Sequence, residues 1–195
     1  MKTKRKIKKM NRHEIEKTYN ESAGHVRRLI SYGIDWYVTS LLVMTPVALL
    51  YGIETGKKAM IIDISLLSLP YATIAFIIGL IFCLYYLVYY PLKSGQTIGK
   101  KITSLKIIKI DGSKIDLKTL MLREILGVIV IEGVMYTIST YSHQIIAMFL
   151  HMTYSNYISY VFMAILFVSI ILALIKPEKR MIHDYIAKTK VIRLK

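Results

Sequence analysis

The chain has 195 residues, 54% of them hydrophobic, with a formal net charge of +15 and a pI of about 9.8. So apolar and so basic a composition does not suit a cytosolic enzyme; it suits a membrane protein with positive inner loops. The basic residues flank apolar runs instead of decorating a soluble fold, which speaks against nucleic acid as a partner.

Residues 1–26 are polar and carry eight Lys/Arg in the first 17 positions. They read as a basic cytoplasmic tail with a short helix over 12–19, drawn to anionic lipid by about 1 kcal/mol per basic residue near the surface. The polar stretch that follows the basic start does not fit a cleavable signal, and Lys2 stands where myristoylation needs glycine.

The first apolar run predicts a membrane helix over about 28–51. Asp35 interrupts it, seven residues beyond Arg28 and on the same helical face, about 10 Å deeper. Pro46 is a candidate kink. A loop over 52–63 leads to a second run, read as a helix over about 66–92, which ends in Tyr85, Tyr86, Tyr89 and Tyr90 at headgroup level. Cys83 lies within it and reads as a small packed residue, with no disulfide or redox partner.

The connection over 93–123 holds a Gly-x-x-x-Gly-Lys string, Gly95 to Lys100. A nucleotide phosphate loop needs four residues between its glycines, so nucleotide hydrolysis is rejected. Asp111-Gly112 between β-prone runs predicts a short hairpin pairing 104–110 with 113–117, and Asp116 is placed to cap the next helix. The third helix is expected over about 120–140, with Arg123 and Glu124 at its inner edge and Glu132 inside it. Residues 141–157 read as outer or interfacial; His143 and His151 lack a metal-ligand spacing. A fourth helix over about 158–175 leads to a basic segment, 176–195, expected to return along the cytoplasmic surface.

Of the 27 Lys and Arg, 10 lie in the tail through Arg28, 8 in the 93–123 connection and 7 after residue 175. Four crossings with both termini cytoplasmic satisfy that distribution. The fold class is therefore an all-α membrane protein, a four-helix transmembrane bundle with a cytoplasmic β-hairpin between helices 2 and 3, its membrane domain spanning 27–192.

Asp35 and Glu132 are the acids well inside the runs, at similar depth, about 10–14 Å from the inner edge. Two readings stand side by side: a site that exchanges a proton for a cation, or polar contacts that hold helices together. The depth difference argues against a direct bridge between Arg28 and Asp35, and leaves Glu132, Arg123 or a tyrosine of the second helix as partner for Asp35. No nucleophile–base pair, metal cluster or phosphate loop is visible, so neither an enzyme nor a cofactor is expected.

RRLISYGID, GQTIGKKITSLKIIKIDG, LREI and HDYIAKTKVI stand in order along residues 22–192 and resemble the signatures of the RDD family, named for one arginine and two aspartates. The resemblance places Arg28 and Asp35 in the first signature, Gly95, Thr97, Gly99 and Lys100 in the central loop, Arg123 on a further arginine, and Asp184, after His183, on the second aspartate. Lys188 departs from it, standing where the closing signature usually has glycine. What the resemblance implies is a multi-pass cell-membrane protein, with sodium–proton type antiport associated with some members.

The resulting expectation is a small transporter exchanging a monovalent cation or small solute with protons. Asp35 and Glu132 would bind the ion or proton, and Arg28, held at the inner surface with the closing His183-Asp184 segment, would form with Arg123, His183 and Asp184 the inner gate or a structural network. The alternative is a scaffold or accessory subunit docking a partner or anionic lipid on its basic face. The expected partners are the lipid bilayer, anionic lipid and a second copy of the chain.

Overall fold

A computed structural model describes residues 24–58, 63–132, 136–151 and 156–194. The basic tail and its expected helix over 12–19 lie outside the described residues. The chain is mostly helical, with a small two-stranded antiparallel sheet.

Helix α1, His25–Thr55, runs through Pro46 and stops at Gly56, whose φ of 70° lets its N–H return to the Gly52 carbonyl. Ser31, Asp35, Thr39, Val43 and Val47 are buried, a single stripe at intervals of four. Helix α2, Leu69–Leu84, opens with Pro70 in its first turn, where the missing N–H costs nothing. It continues as a π turn, Tyr85–Tyr89, and a 3-10 turn, Tyr90–Leu92. Gly79 lets α2 close on α1: a Cβ there would lie 3.3 Å from the Val43 carbonyl oxygen. These two helices are long and apolar enough to cross a bilayer, yet only 22% and 39% of their most apolar stretches are buried inside the protein. The core helix of a soluble domain would be enclosed; these turn Leu29, Leu49, Ile77 and Ile81 outward.

The expected helix over 120–140 is broken. Helix α4, Leu117–Met121, continues as a π-helical stretch, Leu122–Ile131, and ends at Glu132 with φ −102° and ψ 3°. Tyr136 is extended, and α5, Thr137–Phe149, starts anew from it. Residues 141–149, expected as an outer or interfacial segment, are thus helical. Helix α6, Asn156–Ile175, follows, and from Tyr160 onward most of its side chains face outward. Its His143 neighbour on α5 stacks against Phe162, ring centroids 5.2 Å apart.

The expected hairpin is also corrected. The short helix α3, Ile98–Ile102, is capped by Thr97 and leads into β1, Leu105–Lys109. The turn at Asp111-Gly112 forms, with Gly112 at φ 82°. The returning segment has no room to be a strand, because Asp116 already accepts the Thr119 N–H and starts α4. The partner of β1 is β2, Thr189–Arg193, in antiparallel register from Leu105↔Arg193 to Lys109↔Thr189. The closing segment therefore does not merely return along a surface. Its helix α7, Ile182–Ile186, buries His183 and Asp184, and Val191 packs with Leu105, Ile107, Ile115 and Leu120 in a second small core.

Candidate functional site

Asp35 lies on the inward stripe of α1, and its carboxylate is saturated. Oδ1 accepts from the Tyr86 hydroxyl at 2.5 Å and the Gly99 N–H at 2.9 Å. Oδ2 accepts from the Thr97 hydroxyl at 2.6 Å and Lys100 Nζ at 3.1 Å. A carboxylate has about four lone-pair sites, and all four are used. The central motif supplies three of these donors because Thr97 caps α3, which aims the helix N-terminus and its free N–H groups at the acid. A tyrosine of the second helix is among the partners, as the spacing had allowed; Glu132 and Arg123 are not. The π turn over Tyr85–Tyr89 presents Tyr86 inward while Tyr85 and Tyr89 stay exposed.

The remaining charged residues form a second cluster. Arg123 donates from Nε to Asp184 Oδ1 at 3.2 Å and from Nη1 to Glu124, with Nη2 2.8 Å from His183 Nε2. His183 Nδ1 lies 2.8 Å from Glu132 Oε2, and its backbone N–H donates to Glu132 Oε1 at 2.8 Å. Ser169 of α6 donates to the same Oε1 at 2.8 Å and accepts from the Ile182 N–H. Arg28 reaches across to the Lys179 and Val191 carbonyls and stands 3.8 Å from Asp184 Oδ2. Burial pushes the Asp184 carboxyl up, but the neighbouring His183, Arg123 and Arg28 and the Thr189 hydroxyl outweigh it and hold it at about 2.

Geometry fixes the proton on the imidazole. A guanidinium offers only donors, so His183 Nε2 accepts from Arg123 and the ring proton sits on Nδ1, donated to Glu132; this tautomer is assigned from the network. Glu132 accepts from three donors and is ionised in this arrangement.

The two clusters border one cavity of about 80 Å³, room for a few waters or a small ion. Its charged lining is Asp35, Glu124, Glu132 and Asp184 against Arg28, Lys100 and Arg123, with His183 neutral. Four negative charges against three positive leave an excess of one negative charge. Thr97 and Gly99 touch the chamber through Asp35, whereas Gly95 lies apart, beneath β1. Sequence reasoning did not single out Glu124, Gly127, Ser169 or Thr189 as site residues. Glu124 carried a signal as an acid beside Arg123; a lone serine in an apolar helix and a threonine in a basic tail carry none.

Outward-facing apolar helices around a buried ionic chamber define an integral membrane protein. The chain belongs to the RDD family, whose profile matches residues 22–188. It is also similar to an uncharacterized protein of Bacillus subtilis (strain 168), YckC, 28% identical over 151 residues, which are 77% of this chain and 74% of the relative. No solved structure matches the chain.

Proposed function

We propose that the protein is a small proton-coupled transporter of a monovalent cation, and that the exchangeable site is the Glu132–His183 pair rather than Asp35. The observation that carries this reading is the pair itself, beside a cavity whose lining is one positive charge short. A monovalent cation in the cavity, or a proton on His183 Nε2, supplies that charge, and either makes the other unnecessary. Protonation turns Nε2 into a donor, so Arg123 Nη2 must swing away toward the carboxylates it already holds, Glu124 and Asp184. Competition for one charge is the elementary requirement of antiport.

The broken helix supports the same assignment. On the proposed topology, four crossings with both termini and the 93–123 connection cytoplasmic, the break at Glu132 lies within the bilayer. Backbone that leaves the helix at that depth has to line a cavity or be buried in protein. The ends of half-helices are common cation sites in transporters.

Purified protein in liposomes with an entrapped pH dye should acidify or alkalinise the lumen when a monovalent cation gradient is imposed. Glu132→Gln should lose this flux. Asp35→Asn should reduce the amount of folded protein but leave flux in what remains. Flux that survives Glu132→Gln sinks the assignment.

Saturation of Asp35 favours a second reading, an accessory subunit whose charged residues only hold the fold together. It predicts no cation-driven proton movement in wild-type protein, with loss of folded protein for Arg28→Ala.

A further inference from the structure

We propose that a cleft between the end of α2 and the turn after β1 binds the phosphate of an anionic membrane lipid. This inference does not depend on what the ionic chamber carries.

The cleft measures about 100 Å³ and is lined by Lys93, Ser94, Lys106, Gly112, Ser113 and Lys114, with no acid in its wall. Lys93 follows Leu92, the last residue of an apolar stretch long enough to cross a bilayer, so the cleft opens at headgroup level. Gly95 forms its floor. With φ at 72°, a Cβ there would lie 2.6 Å from the Ile107 carbonyl oxygen and 3.1 Å from Lys106 Cγ, so only glycine lets Lys106 lie along this wall. Lys93, Lys106 and Lys114 form no ion pair among the described residues. The nearest acids in the chain are occupied: Asp111 accepts the Ser113 N–H at 2.8 Å, and Asp116 is paired with Lys109. Counting these in, four lysines face two carboxylates, a local excess of two positive charges.

Lysines act as point-charge phosphate binders, and basic pockets beside membrane helices suit anionic headgroups. The volume is well below the roughly 300 Å³ at which pockets for drug-sized ligands begin, which fits one phosphate and not a nucleotide.

The test uses full-length protein in an uncharged detergent, with bound adducts read by native mass spectrometry. Short-chain phosphatidylglycerol, phosphatidylcholine and inorganic phosphate are titrated separately. Lys93→Gln/Lys106→Gln/Lys114→Gln is compared with Lys58→Gln/Lys118→Gln/Lys176→Gln, which removes the same charge at residues that do not line the cleft. The expected result is preference for phosphatidylglycerol over phosphatidylcholine, weakened about tenfold or more by the first triple and less than about twofold by the second. Equal losses in the two triples overturn the site in favour of diffuse charge. Binding of inorganic phosphate without preference between the two lipids overturns the lipid as its source.

Discussion

A Cβ at Gly99 would lie 2.3 Å from the Ser31 carbonyl oxygen and 2.8 Å from Asp35 Oδ1; one at Gly127 would lie 2.5 Å from His183 Cβ. Each glycine is the point where a short helix is pressed against a long one, α3 on α1 and α7 on the π stretch. Because backbone must move in both cases, Gly99→Ala and Gly127→Ala should each cost about 3 kcal/mol, seen as a lower unfolding temperature in detergent. Asp184 carries a pH signature. Its carboxyl is held at about 2 against an ordinary 3.8, so its stabilisation is fully present above pH 3.8 and is lost as pH falls toward 2. The difference corresponds to about 2 kcal/mol. Acid unfolding of Asp184→Asn should lack that increment between pH 4 and 2, on top of an overall loss of about 3 kcal/mol from leaving Arg123 without one of its carboxylates.

At the level of elements, the π stretch Leu122–Ile131 sets which charges meet. In an α-helix the nine residues from Arg123 to Glu132 make two and a half turns and point the two side chains to opposite faces. With i→i+5 bonding, each turn takes in between four and five residues, so nine make about two turns. Arg123, Val128 and Glu132 then line one cavity. This explains how much was legible in the sequence. Apolar runs revealed α1, α2 and α6, and the spacing of Arg28 and Asp35 on one α-helical face was sound. The joining of Glu132 to the Arg123, His183 and Asp184 set was hidden, because it depends on a helical period that apolar patterning does not announce. The hairpin failed for a different reason: a local Asp-Gly turn says nothing of a distant strand, and β2 lies 80 residues further on. Lys188 shows the converse. It turns the chain from α7 into β2 at φ 52°, a left-handed conformation that favours the glycine usual at this place in the family signature. Lys188→Gly should therefore stabilise the protein by about 1 kcal/mol in thermal unfolding.

For the whole molecule, the outward apolar faces of α1, α2 and α6 leave the charges of the described residues at the ends of these helices, on the segments that join them, or in the chamber between them. The proposed orientation is open to direct labelling, since Cys83 is buried and gives little background. In intact cells, Lys57→Cys should react with a membrane-impermeant thiol reagent, and Lys114→Cys should react only after the membrane is opened. The reverse pattern would invert the topology and leave the chamber's chemistry unchanged. That chemistry makes the central claim, one charge shared between a cation and a proton at Glu132–His183. Its most direct test is the proton balance of purified protein in weakly buffered detergent near neutral pH, followed by electrode as sodium, potassium or lithium chloride is added. Proton release with one of these cations, absent in Glu132→Gln, is the predicted result. No release with any of them, or the same release from Glu132→Gln, would contradict it.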